Sequence, residues 1–290
     1  MRHTLFAILS AAVLMLCGCS QKPAEPEIAE TLPPMTEAPQ PALVYYVTDH
    51  GTAPAGQVTK FTDALEAQSC IVQADVFASL PTGADLVVLN APREDLTKEE
   101  AAQLDRYMDG GGHLLLLMPA DETDSRYKYL ELSLERYCIR MDYDRITETD
   151  KNRQQGGDPA FPEIRQVHAP EGMTIEPETA ERPLYLHNCR SFHFENGENF
   201  HDLRCDAILE TAASAVGEPC GGIADDPLTF TNEQLMTMLY SRDTTHGNGF
   251  MVVSGASDFL LDENYDLDSS KSAQDYVFAA VGWAANPIGF

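Results

Sequence analysis

An α/β fold, a three-layer sandwich around a largely parallel central sheet, is what this 290-residue sequence predicts, on three observations. Two runs, "ADLVVLNAP" and "HLLLLMP", are apolar almost throughout, as strands covered on both faces are. From Ala42 onward, strand-type runs alternate with stretches of helical periodicity, the signature of helices packed on a sheet. Between the two apolar runs, Thr97 and Glu100 form a T-x-x-E capping box that opens a helix, and Gly110-Gly111-Gly112 close it.

The N-terminus predicts an exported, anchored protein. Arg2 and His3 precede "LFAILSAAVLML", too short to span a bilayer as a mature helix, and Leu16-Cys17-Gly18-Cys19 follows. This stretch resembles the lipobox of bacterial lipoproteins, which implies that residues 1–18 are a signal peptide and that Cys19 receives lipid. Residues 19–41 are rich in Pro and Glu and read as a flexible tether. Residues 42–290 are expected to be a single α/β domain.

Within that domain, "ALVYYVTDHG" reads as a buried strand, and "GQVTKFTDALEAQSC" as a helix with Val58, Phe61 and Leu65 on one face. "IVQADVF" and "ADLVVLNAP" follow as strands. The capped helix carries Leu96, Leu104, Tyr107 and Met108 as its apolar stripe, and "HLLLLMP" is the next buried strand. A phosphate loop needs strand, glycines, then helix. Here the glycines end a helix and precede a strand, so they predict a cap and no nucleotide site, with positive φ expected at Gly112. "DSRYKYLELSLERYCI" places Tyr127, Leu130, Leu134 and Tyr137 in helical phase. Residues 141–206 read as an irregular insertion with short strands around "RPLYLHNCRSFHF". "DAILET" restores regularity. "TNEQLMTMLYSR" is expected to be helical, "GFMVVSGASDFLL" a strand and loop, and "SAQDYVFAAVGWAA" a closing helix.

"ADLVVLNAPREDLTKEEAAQLDRYMDGGGHLLLLMPADE" resembles the gliding-motility-type ABC-transporter auxiliary domain. The matching positions are Pro92, Leu96, Thr97, Glu99, Glu100, Tyr107, Gly111 and Gly112. Near the C-terminus, the G-x-S-D-F turn at Gly255, Ser257, Asp258 and Phe259, and the aromatic Trp283 of the last helix, are similar too. The resemblance leaves the segment from Met141 to Asp206 unmatched. It implies a glutamine-amidotransferase-like or flavodoxin-like sandwich without the catalytic residues, and partnership with permease and ATPase subunits. The sequence departs from the pattern at Ala256, often an acid in that family. No membrane helix follows Trp283, so lipid would have to replace that anchor.

Composition narrows the partners. Nineteen basic against 46 acidic residues give a formal charge of −27, which disfavours nucleic acid and anionic headgroups. Beyond Cys19, the cysteines Cys70, Cys138, Cys189, Cys205 and Cys220 form no close pair. An amidotransferase-like enzyme needs a nucleophile on a strand-to-helix turn. The strand ends offer Asn90 with Ala91, and Pro119, Ala120 and Asp121, so no catalytic residue is predicted. His187, Cys189, His193, His201 and Cys205 form the densest stretch of ligand-type residues, but their spacing matches no metal pattern and reads as a polar hairpin. Asp262, Asn264, Asp266 and Asp268 alternate as at the start of a calcium loop. Leu267 replaces its glycine and Ala273 its closing glutamate. No cofactor and no metal are predicted.

In an open α/β sheet, ligands bind at the carboxyl ends of the strands. Asp49, His50, Asn90, Asp121, Ser257 and Asp258 should converge there around one concavity. The function expected is that of a lipid-anchored, extracytoplasmic bacterial domain that binds or scaffolds beside an ABC transporter. The alternatives are a solute- or glycan-binding lipoprotein, and a hydrolase with metal at the 187–205 stretch.

Overall fold

In a computed structural model, residues 40–123, 127–195, 202–221, 234–245 and 247–285 are described. The signal, Cys19 and most of the tether lie outside them, as does His201. The first half of the fold is β1 (Leu43–Val47), α1 (Thr59–Ala67), β2 (Ile71–Asp75), β3 (Leu86–Asn90), α2 (Lys98–Asp109), β4 (His113–Leu117) and α3 (Lys128–Arg136). The second contains β5 (Ile139–Met141), β6 (Asp144–Glu148), β7 (Glu163–Gln166), α4 (Pro177–Glu181), β8 (Leu184–Tyr185) and β9 (Phe192–Phe194). It continues through β10 (Leu203–Thr211), β11 (Ala215–Pro219), β12 (Met236–Asp243), β13 (Phe250–Ser254) and α5 (Asp268–Ala285).

The main sheet runs in the order β2-β1-β3-β4-β13-β12-β10-β7-β8, with β9 beside β12 and β5 beside β9. From β2 to β13 every pairing is parallel. From β13 to β8 every pairing is antiparallel. The sheet is therefore parallel in one half only. Residues 141–206 do contain short strands, but most of these extend the main sheet; β6 instead pairs β11 as a separate ribbon.

Alternation along the strands divides the parallel half into three layers. Val44, Tyr46, Leu86, Val88, Leu115 and Leu117 pack on Phe61 and Leu65 of α1 and on Tyr276, Val277 and Val281 of α5. Their neighbours Tyr45, Val47, Val87, Leu89, Leu114 and Leu116 face Leu104 and Met108 of α2 and Leu130 and Leu134 of α3. The capping box is complete: the Thr97 side chain accepts from Glu100 N–H, and the Glu100 carboxylate accepts from Thr97 N–H.

Two expectations are corrected. Residues 236–243 form β12, not a helix. At the glycine cap the left-handed residue is Gly111, with φ +91°. Gly112 is needed for space, since a Cβ there would lie 2.3 Å from the Tyr107 ring. Asp262 accepts from the N–H groups of Thr59 and Lys60 at the start of α1. The described residues contain no helix long and apolar enough to cross a membrane. From Gln40 onward they belong to one compact unit.

Candidate functional site

Because β1, β3, β4 and β13 are parallel, the turns after them share one edge of the sheet. The β1 turn is tight: His50 and Gly51 both have positive φ, at 59° and 66°. The His50 carbonyl accepts from the N–H groups of Arg93 and Glu94, which ties this turn to the one after β3. The His50 ring is packed between the two, its side chain only 9% exposed. Its Nδ1 lies 3.1 Å from the Asp95 carbonyl. A carbonyl only accepts, so Nδ1 carries the proton of this contact. On the far side of the ring, Nε2 lies 3.4 Å from Glu100 Oε1 and 3.8 Å from Asp49 Oδ1.

Each neighbour of the ring is held by its own contacts. Asp49 Oδ1 accepts from Phe77 N–H at 3.0 Å. Glu100 Oε2 accepts from the N–H and hydroxyl of Thr97 at 2.8 and 2.6 Å. Burial works against ionisation of Glu100, but the Thr97 hydrogen bonds and His50 outweigh it and hold its pKa below the usual value. The Asp95 carboxylate accepts from Tyr129 and Leu130 N–H, capping α3.

Asn90 lies beneath this rim, fully buried, and donates to the Tyr46 hydroxyl at 3.2 Å. The next residue, Ala91, has φ +53° and donates its N–H to the Leu117 carbonyl. Arg93 Nε sits 3.4 Å from Asp121 Oδ2, so Asp121 joins the same stretch of the edge. Burial raises the Asp121 pKa, but the hydrogen bonds from Thr123 and the charges of Arg93 and Arg190 more than reverse it.

Asp258 Oδ2 is 2.6 Å from His187 Nδ1, in a small cleft of about 90 Å³ lined also by Phe161, Tyr185 and Asn264. Ser257, preceding it, is buried. Along the shared edge, Asp49, His50 and Asp121 group above Asn90, and Asp258 pairs with His187.

The 187–205 stretch is dispersed. Cys189 is buried in the core, and burial, reinforced by the charge of Asp144, pushes its thiol pKa far up. Cys205 lies against the Ser241 hydroxyl. His193 Nδ1 is 2.9 Å from Asp142 Oδ1. Behind that histidine, the Ser191 hydroxyl lies 2.9 Å from Asp142 Oδ2 and 2.8 Å from Asp144 Oδ2. The hydroxyl has a single proton to offer these two carboxylates. Burial, opposed by the Ser191 N–H and reinforced by Asp142, lifts Asp144 to about 6. Among the described residues, the group able to hold a metal ion is Asp49, His50 and Glu100. Glu100 was visible in the sequence as half of a capping box and as a position of the resemblance, but not as a neighbour of His50.

No family model and no curated protein matches the sequence. Among solved structures, the chain is similar to the mmIFT52 N-terminal domain, at 16% identity over 86% of this chain and all of that one, with a TM-score of 0.62. A ThuA-like protein from Parabacteroides merdae is 14% identical over 86% of this chain and 91% of that one, TM-score 0.45. A cold-adapted beta-galactosidase from Rahnella sp. R3 is 12% identical over 83% of this chain and 30% of that one, TM-score 0.47. At such identities the first likeness is one of fold: mixed α/β around a large central sheet.

Proposed function

We propose that this chain is a non-catalytic binding and scaffolding domain, held by lipid on Cys19 at the extracytoplasmic face of a bacterial membrane, where it serves beside an ABC transporter. The observation that carries the non-catalytic reading is the end of β3. In the amidotransferase-like sandwich that the sequence resembles, acyl transfer needs a nucleophile on a strained strand-to-helix turn. Ala91, directly after β3, has the positive φ of such a residue, +53°, and carries only a methyl group. A left-handed conformation costs an L-residue roughly 1–2 kcal/mol. The strain therefore comes without the nucleophile. The edge keeps charged groups suited to recognition: Asp49, Arg93 and Asp121, each partly exposed.

The anchor and the transporter rest on the lipobox-like stretch ending at Cys19 and on the resemblance carried by residues 92–112 and 255–283. The test is to express the full-length chain and Cys19→Ala in a bacterium, following labelled fatty acid, membrane fractionation and in-membrane cross-linking. The wild type should take up label, sediment with membranes and cross-link to a permease or ATPase, and the variant should lose the first two. Identical fractionation without label refutes the anchor. Turnover of any acyl or glycosyl substrate that Asp49→Asn or Asp121→Asn abolishes refutes the non-catalytic reading.

A further inference from the structure

We propose that Asp49, His50 and Glu100 hold a divalent first-row transition-metal ion of the zinc class at the carboxyl edge of the sheet. Each offers one ligand atom, and these atoms all lie within 4.8 Å of one another. Zinc–nitrogen and zinc–oxygen bonds of about 2.1 Å put tetrahedral ligands about 3.4 Å apart. His50 Nε2 and Glu100 Oε1 stand at 3.4 Å, and Asp49 Oδ1 at 3.8 Å from the same nitrogen. A small shift of one carboxylate closes the set.

The imidazole supplies the independent observation. The His50 side chain is more than nine-tenths buried, and its Nε2 has no hydrogen-bond partner. With an Nδ1 proton committed to the Asp95 carbonyl, the ring aims its Nε2 at two carboxylates, and in its neutral form the atom aimed is a lone pair. Lone pairs facing anions repel unless a cation lies between them. A proton on Nε2 would supply the charge, but the approaches to Glu100 and Asp49 lack hydrogen-bond geometry. A metal ion accepts an electron pair from all three groups and needs no such aim.

The surroundings fit. Metal-bound histidines usually donate their second nitrogen to a carbonyl or carboxylate, and ligating carboxylates are hydrogen-bonded in turn. Here Nδ1 donates to Asp95, Thr97 orients Glu100, and Phe77 N–H orients Asp49. One imidazole with two carboxylates suits zinc, manganese or iron better than magnesium or calcium, which take oxygen ligands. Asp49 is about one-third exposed, so a fourth position on its side opens to water or to an anionic group of a ligand.

The test uses chelator-stripped full-length protein in detergent. Zinc bound after gel filtration is measured by elemental analysis, and cobalt serves as the spectroscopic substitute. One zinc per chain is expected, with a raised melting temperature and visible cobalt bands of a low-coordinate site. Glu100→Gln keeps the capping box, Asp49→Asn keeps an acceptor for Phe77, and His50→Asn tolerates positive φ. Each should weaken zinc at least tenfold. If His50→Asn fails to fold, the two carboxylate variants decide. Substoichiometric zinc overturns the proposal, as does stoichiometric zinc that all three variants leave unchanged. Equal displacement by millimolar magnesium overturns the metal class. A His50 resonance that titrates as a cation paired with Glu100 and ignores zinc overturns the site. None of these readouts depends on lipid or transporter.

Discussion

In the half of the sheet from β2 to β13 the strands run parallel, whereas from β13 to β8 they run antiparallel, and the two halves solve the same burial problem differently. β3 and β4 are buried at all five positions, because helices cover both faces. β10 alternates exposed and half-buried residues before it sinks into the core. Parallel strands need crossover connections, so their helices come built into the chain and every strand ends on one edge. Antiparallel strands need only turns, and their polar groups must find partners locally. That is why ligand-type residues gather on the parallel edge, while His193, Ser191, Asp142 and Asp144 satisfy one another inside the antiparallel half.

The seam between the halves should be the costliest place to disturb. Trp283 of α5 stacks on Phe250 of β13 at 4.0 Å and meets Tyr240 of β12 edge-on at 5.6 Å. It is 2% exposed. Trp283→Ala should destabilise by about 3–5 kcal/mol, read as a lower denaturation midpoint with an unchanged slope. Two separate transitions would instead mean that the halves unfold independently.

The seam also marks where the sequence stops being legible. The parallel half could be read residue by residue, since continuous apolar runs, a capping box and a glycine stop each have one structural meaning. β12 could not. Met236–Asp243 is buried at six consecutive positions, so period-two alternation is absent, and Leu235, Met238 and Leu239 fall at helical spacing by coincidence. A short run buried on both faces carries no periodic signal for a strand. The edge residues were legible from topology alone, but their grouping was not. Asp258 turned towards His187, and Glu100 reached His50, through contacts between segments that no spacing in the sequence encodes.

Buried Asp144 should give the antiparallel half a pH dependence opposite in sign to that of His113 in β4, whose pKa burial lowers to about 4. Asp144 rises from 3.8 to about 6 on folding, chiefly through burial. A raised carboxyl pKa means that the folded state binds the proton more tightly. Its contribution is complete below about pH 4 and is lost as pH rises through about 6. Asp144→Asn keeps an acceptor for Ser191 N–H and gives the Ser191 hydroxyl a donor. It should flatten the stability profile between pH 4 and 7 and add on the order of 3 kcal/mol at pH 8, at about 1.4 kcal/mol per pKa unit. Equal slopes for wild type and variant in urea titrations across that range would show that Asp144 is ionised throughout.

Within the parallel half, the glycine cap separates backbone strain from crowding. Gly111→Ala meets both a positive φ and the Gly247 carbonyl, 2.5 Å from the new Cβ. Gly112→Ala meets only the Tyr107 ring. That ring is pinned, because its hydroxyl donates to the His113 carbonyl and accepts from the His113 N–H. Each change should cost about 1–3 kcal/mol. Tyr107→Leu should rescue part of the Gly112 loss and none of the Gly111 loss. ATP and NAD should bind neither variant nor the wild type, and saturable binding in calorimetry would refute the reading of these glycines as a cap.

The smallest effect belongs to one of the contacts that join the two halves at the sheet edge. Asp258 follows the last parallel strand, and His187 follows β8. Their hydrogen bond, the largest cause, raises the His187 pKa above its usual value against the effect of burial. A raised histidine pKa stabilises the fold fully below its unfolded value of 6.5, and that contribution fades as pH climbs through the folded value. The His187 side chain is 47% exposed, so solvent screening keeps the gain under about 1 kcal/mol. Asp258→Asn should lower the His187 pKa in an NMR titration and shift the melting temperature slightly at pH 6, with no shift at pH 9. Asn264 donates to the Asp258 carbonyl and not to its carboxylate, so that anchor survives the substitution and the loop should keep its place. A His187 titration unmoved by Asp258→Asn would mean that the pair does not persist in solution, leaving the halves joined at this edge by the Asn188–Ala120 and Arg190–Gly255 backbone pairs.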